Sequence, residues 1–131
     1  MYNVNKQSMY KHFKTKCYIA SKLESTYDEE DNEITQYDTP KKYVFNIQPL
    51  VNSSITGSEI QAFGEHAQRM KVAVITEREK YAGKFKEFDL AYLDGVSPEN
   101  ENYNGENANY RVHLVSEQNM VIRIFFTKIV K

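Results

Sequence analysis

Tryptophan is absent from this chain, and cysteine occurs once, proline three times and glycine five times. A single thiol, Cys17, cannot form an internal disulfide, so the sequence implies no covalent staple and no oxidising compartment. The glycines are scattered through turn-like stretches, which excludes a glycine-rich loop cradling phosphates. No run approaches the roughly 18 apolar residues needed to span a bilayer. The apolar stretch near the C-terminus is short and is interrupted by Arg123 and Lys128. The N-terminal stretch has none of the apolar character of a signal peptide, and the expectation is a soluble protein made and folded in a cytoplasm. A basic excess is missing as well: 17 Lys and Arg face 18 Asp and Glu, for a net charge of −1. Dedicated nucleic-acid binders usually carry a surplus of positive charge.

What the chain does have is tyrosine and phenylalanine, ten and seven of them, residues that favour strands. Its 131 residues suit one domain with a core large enough to stand alone. Apolar residues recur with period two, the strand signature. In Cys17–Leu23, Cys17, Ile19 and Leu23 face one way. In Tyr43–Gln48, Tyr43, Phe45 and Ile47 do so, and Pro49 is expected to end the pairing because it has no N–H to donate. In Met70–Thr76 the expected inner face is Met70, Val72 and Val74. Phe88, Leu90 and Tyr92 continue the pattern, followed by Tyr110, Val112 and Leu114, then Met120, Ile122, Ile124 and Phe126. Glu117-Gln118-Asn119 reads as the turn between the last two strands. Ser58, with Gln61 three residues on, fits a capping box opening a short helix that carries Ile60 and Phe63 and stops at Gly64. A weaker helical stripe is Met9, Tyr10 and Phe13 within Lys6–Phe13. The fold class expected is mainly β: a small barrel or sandwich of about six strands with one short helix. It forms a single domain over residues 1–131, with a basic segment at 1–16 and the barrel core at 17–130. The expected buried set is Ile19, Phe45, Ile47, Val72, Val74, Leu90, Tyr92, Val112, Leu114, Ile122, Ile124 and Phe126.

Two long loops remain, at residues 24–40 and 94–109, and loops of such length are commonly functional or disordered. Charge is blocked around the first. Lys6, Lys11, Lys14, Lys16 and Lys22 precede it without an acid. Glu24, Asp28, Glu29, Glu30, Asp31, Glu33 and Asp38 then follow without a base. The block reads as a solvated loop, or as one half of a head-to-tail contact in which acidic and basic patches of neighbouring copies meet. A calcium loop is disfavoured, because the spaced ligands and central glycine of an EF-hand are missing. The second loop is rich in Asn and turn residues and reads as a finger that orders when a partner arrives. Candidate partner contacts are therefore Asp28, Glu29, Glu30, Asp31 and Glu33 in the first loop and Pro98, Tyr103, Asn104 and Asn109 in the second, with Tyr103 as an aromatic anchor.

Chemistry finds little support. His12, His66 and His113 lack metal-ligand spacing. Cys17 sits at an apolar strand position where a thiol is usually inert filler, although a Cys–His pair stays open. Asp89 reads as an outward-facing strand residue, or as a buried acid paired to Arg111 or Arg123. No enzyme activity, metal or cofactor is expected. A barrel stacking single-stranded nucleic acid on Tyr18, Tyr43, Tyr92, Tyr103 and Tyr110 lacks a basic groove.

Several stretches together resemble the small neck proteins of long-tailed bacteriophages, the head-closure or head–tail joining proteins. They are the Pro-flanked Tyr43–Leu50, then Glu59-Ile60-Gln61-Ala62-Phe63-Gly64 before a Val-rich strand. Phe88-Asp89-Leu90-Ala91-Tyr92-Leu93-Asp94-Gly95 follows with Pro98, then Asn109-Tyr110-Arg111-Val112 and a closing hairpin. The likeness spans roughly residues 40–130 and matches nothing in the first 40. It implies a non-enzymatic β-barrel in a homo-oligomeric ring of twelve copies within the virion neck, assembled in the host cytoplasm. The implied neighbours are the portal or its adaptor on the head side and a tail terminator or other tail protein on the far side. Packaged DNA would pass through the channel, and no membrane would be involved. Acids at 24–38 facing that channel would repel DNA phosphates. The alternatives are a tail-tube or baseplate component and a single-strand-binding barrel.

Overall fold

The computed structural model describes residues 14–50, 64–99, 107–118 and 120–129. Among the described residues there are eight strands: β1 (Lys14–Ala20), β2 (Thr26–Tyr27), β3 (Glu33–Ile34), β4 (Lys41–Pro49), β5 (Met70–Ile75), β6 (Leu90–Tyr92), β7 (Tyr110–Gln118) and β8 (Val121–Lys128). Six of them close into an antiparallel barrel in the order β1-β4-β5-β8-β7-β6, with β6 returning to β1. Closure gives every barrel strand a neighbour on both sides, although the three-residue β6 covers only the end of β1 and the start of β7. β2 and β3 form a separate hairpin. The expected β-rich barrel is the fold observed.

Residues 24–40 are not an irregular loop, as the sequence suggested, because β2 and β3 pair within them. A four-residue helix, α1 (Arg78–Tyr81), and a 3₁₀ helix, Gly64–Arg69, complete the described elements. The helices expected at Lys6–Phe13 and from Ser58 lie outside the described residues, apart from the Gly64 stop, which here opens the 3₁₀ helix.

A six-stranded barrel is narrow, and side chains fill it. Cys17, Ile19, Phe45, Ala73, Ile75, Ala91, Leu93, Tyr110, Val112, Ile122, Ile124 and Phe126 form one buried cluster, capped by Phe85. Ala73 and Ala91 are small where the strands pair with the bulky rows, Ala73 beside Ile124 and Ala91 beside Tyr110. At the end where β5 finishes, Tyr43, Phe45, Tyr81 and Phe85 interlock, Phe45 meeting Tyr81 edge-on at 5.1 Å and Tyr43 meeting Phe85 edge-on at 5.2 Å. Such contacts between rings add to the gain from burial alone. They close that end of the barrel.

The barrel also has covered outer faces, and this corrects the inward phase expected for two strands. Met70, Val72 and Val74 lie on the outer face of β5, packed with Phe125 beneath Leu50 and Ala67. Ala73 and Ile75 point inward instead. Leu90 and Tyr92 likewise face outward, against Ala20 and Ala108, while Ala91 and Leu93 fill the interior. Each strand is apolar on both faces, so alternation alone could not tell inside from outside. Leu23 is exposed beyond the end of β1, and Phe88 stands 54% exposed with φ 74 just before β6. Leu114 is exposed because the register of β7 against β8 shifts between Val112 and Leu114, a bulge that hands the inner position to Val115. Met120 is also exposed: Glu117 and Gln118, expected in the turn, are paired in β7 with Ile122 and Val121, and Met120 stands before β8 with φ 63. Pro49 ends β4 as its last residue, still opposite Lys71. Ile47 is half-buried, and the other ten members of the expected core apart from Leu114 are buried.

Candidate partner-contact sites at the two rims of the barrel

The strand directions put the two loop regions on opposite rims. The chain leaves β1 at Ala20 and enters β4 at Lys41, which places the acidic hairpin on the rim where β5 ends and β6 begins. The segment from β6 to β7 joins the other rim, beside the start of β5 and the end of β8.

The hairpin is an arm with its own internal ties. Leu23 N donates to Gln36 O at 2.9 Å, Asp38 N to Ser21 O at 2.8 Å, and Lys22 bridges to Tyr37. Its turn is organised by Asp28, whose Oδ1 accepts from Glu30 N and Asn32 N, both at 2.9 Å. These bonds, led by the Asn32 amide, hold the Asp28 carboxyl below its ordinary range. Asp31 takes φ 61 and donates its N–H to Asp28 O, completing a compact turn. Glu33 accepts from Ser25 Oγ at 2.6 Å. Glu29, Glu30 and Asp31 carry exposed charge at the tip. Tyr27, 68% exposed, and Ile34 add apolar surface, and the only substantial contact of β2 and β3 among the described elements is with each other. A long acidic stretch read as a loop is thus a pre-shaped projection.

The root of the arm is anchored by Asp89. This side chain is buried, neither outward-facing nor paired to Arg111 or Arg123; it accepts from Lys22 N at 2.8 Å and from Lys86 N at 2.9 Å. Burial raises its pKa, and the two backbone bonds pull the other way. A buried carboxylate that accepts from two backbone amides is a structural part of the wall. Lys22 Nζ also lies 5.4 Å over the Phe88 ring, so a cation and an exposed aromatic sit together at the root.

The opposite rim opens into a cavity of about 600 Å³ lined by Pro49, Gln68, Arg69, Met70, Lys71, Tyr110, Lys128 and Ile129. Three of these are basic and none is acidic. The inward phase of β5, β7 and β8 carries Lys71, Tyr110 and Lys128 to the mouth of the barrel, where charge can meet water. Asp94, in a turn with φ 59 followed by Gly95 with φ 80, ion-pairs with Lys71 and accepts from the Tyr110 hydroxyl at 3.2 Å. Burial, then Asp94, pushes the Tyr110 phenol up to about 12. Arg69 and Lys128 have no ion pair among the described residues. Sequence reading missed this mouth, and the available signal was Lys71 within an otherwise apolar strand.

The expected contacts of the second loop are split. Pro98 is half-buried. Asn109 points its amide at Leu93, so it ties the loop down instead of presenting itself. Tyr103 and Asn104 lie outside the described residues, as does His12. His113 is exposed within the bulge of β7, and Cys17 is buried with its thiol pushed up to about 12. Burial that disfavours the thiolate makes Cys17 a poor nucleophile. Among the described residues no three His, Cys, Asp or Glu side chains gather as metal ligands, and no helix is long and apolar enough to cross a membrane. The chain matches no family model, no curated protein and no solved structure in comparisons with each.

Proposed function

We propose that the chain is a structural subunit of a tailed-bacteriophage neck, forming a ring that closes the DNA-filled head and joins it to the tail. The observation that carries this reading is the division of labour in the fold. The barrel interior is filled by side chains, while shaped elements project from one rim and a charged mouth opens at the other. A subunit stacked between two different neighbours needs contact surfaces at both ends and a rigid wall between them. The resemblance in residues 40–130 supplies the specific assignment, including a ring of twelve copies, a portal or adaptor above and a tail protein below. No covalent chemistry is required of it.

A single-strand-binding barrel is the weaker reading. The acids of the arm stand out at one rim, and the aromatic rings that the barrel offers are partly spent on packing: Tyr92 is buried in its outer face and Tyr43 packs against its core. A tail-tube or baseplate component shares the scaffold and differs only in position.

Deleting the coding sequence from the phage genome that carries it tests the assignment. The expected outcome is separate accumulation of complete tails and of heads that lose their DNA. Full, sealed heads lacking tail tubes would instead place the protein in the tail, and normal virions would remove it from the particle's architecture.

A further inference from the structure

We infer that the basic mouth of the barrel is the socket for the acidic hairpin turn of a second copy of this chain. The inference rests on the ring reading only for closure of the assembly; the contact itself stands on charge and shape. The mouth is a cavity of about 600 Å³ whose lining, among the described residues, includes Arg69, Lys71 and Lys128 and no acid. Among the described residues only Lys71 of these three has its charge answered, by Asp94. The hairpin turn offers the complement, with exposed Glu29, Glu30 and Asp31 on a tip that the Asp28 bonds already hold in shape. A pre-formed turn loses little conformational freedom on docking.

One copy cannot satisfy itself, because socket and turn lie on opposite rims. At about 3.3 Å per residue, the eight residues from Ser21 to Asp28 reach at most about 26 Å, and the only substantial contact of β2 and β3 among the described elements is with each other. Two different surfaces of one chain in contact make a heterologous interface, which closes as a ring or continues as a filament. The contact is small and its charges stay near water, so each ion pair contributes little and the affinity of two free copies is low. The isolated protein is then monomeric at micromolar concentration, and a ring needs a template to gather its subunits. This use of the acids takes the turn out of the DNA channel and into the subunit boundary.

The test follows amide chemical shifts of ¹⁵N-labelled protein up to about 1 mM at about 10 mM salt, where the Debye length is near 30 Å. Amides of the turn and of Lys71 and Lys128 are expected to move together with concentration and to stop moving in 1 M salt. Glu29→Lys/Glu30→Lys/Asp31→Lys and Arg69→Glu/Lys128→Glu should each weaken the association at least about tenfold while keeping the folded spectrum. Mixing the two variants should restore it, since each then offers the other a matching pair. Shifts that do not depend on concentration, or a mixture that fails to restore them, would overturn the socket. So would an oligonucleotide that binds the mouth, is lost in Arg69→Glu/Lys128→Glu and is untouched by the turn substitutions. Failure here with detached heads and tails after gene deletion removes the contact and keeps the ring. Restoration on mixing with normal virions after deletion does the reverse.

Discussion

Asn109 and Leu93 exchange two hydrogen bonds: Leu93 N donates to Asn109 Oδ1 at 2.9 Å, and Asn109 Nδ2 donates to Leu93 O at 2.9 Å. The side-chain amide takes the place of a strand neighbour just where the short β6 runs out of backbone partners. Leu93 is buried, so its amide and carbonyl could not turn to water instead. Asn109→Ala should cost about 1–3 kcal/mol, because it strands the buried Leu93 N–H, while the Leu93 carbonyl keeps the Val96 N–H at 3.1 Å. Asn109→Asp should cost more, because a second carboxylate oxygen would face the Leu93 carbonyl. Urea unfolding of the three proteins measures the order; an Asn109→Asp variant as stable as the native protein would mean that the Nδ2 bond contributes nothing.

Asp89 plays a comparable part at the root of the arm, but with a charge. Asp89→Asn keeps the shape and can accept only one of the two amide bonds from Lys22 and Lys86, turning its NH₂ toward the other donor. A loss of about 1–3 kcal/mol is expected. The pH dependence has a definite sign. Burial raises the Asp89 pKa, so its favourable contribution is fully present below the ordinary carboxylate value of 3.8 and is lost as pH rises through the raised value. The stability gap between the native protein and Asp89→Asn should therefore be widest in acid and narrow toward neutral pH. A gap that grows with pH would show that the two amide bonds outweigh desolvation.

Alkaline pH should unfold the barrel from inside. The Cys17 thiol is raised from 9.0 to about 12 by burial, and the Tyr110 phenol from 10.0 to about 12 by burial and Asp94. For both, the stabilising contribution is complete below the ordinary value and disappears as pH rises through about 12, because only the unfolded chain ionises readily in between. Tyr110→Phe should lower stability at neutral pH by about 1 kcal/mol through the lost bond to Asp94, yet flatten the decline above pH 10. Thermal midpoints across that range report it, and an unchanged alkaline slope would rule out Tyr110 as its source. Cys17 should resist thiol reagents until the protein unfolds.

How much of this was written plainly in the chain depends on how many faces each strand buries. β8 was legible because Ile122, Ile124 and Phe126 form one inward row and Arg123 marks the other side. β5 was misread because Met70, Val72 and Val74 are as apolar as the Ala73 and Ile75 that face inward. What covers them, Leu50 and Ala67, is contributed from elsewhere in the sequence, and no local pattern announces a second layer. Leu114 failed for a different reason, since one bulge residue reverses every later side chain on β7. The candidate site divides along the same line. The arm's acids were visible as a charge block, whereas its hairpin depends on Asp28 folding back onto Glu30 and Asn32. The mouth was invisible because Arg69, Lys71 and Lys128 converge only once the barrel closes.

The arm should prove separable from the barrel in its stability. Asp28 ties the turn through bonds from Glu30 N and Asn32 N, and β2 and β3 pair chiefly with each other. Asp28→Ala should accordingly speed hydrogen exchange at Glu30 and Asn32 many-fold while leaving the thermal midpoint of the barrel within about 1 °C, since no core residue is disturbed. Asp28→Asn retains an oxygen to accept both amides and should preserve most of the protection. The linkage here runs opposite to that of Asp89. The Asp28 pKa is lowered, chiefly by the Asn32 amide, so the ordering it provides is present above 3.8 and fades as pH falls through the depressed value. Amide exchange measured at pH 6 and again in acid should show the turn loosening in the native protein, corrected for intrinsic rates, but not in Asp28→Asn. A barrel that melts together with the turn would mean that the arm is part of the cooperative core, and its role as an independent, pre-shaped contact would have to be given up.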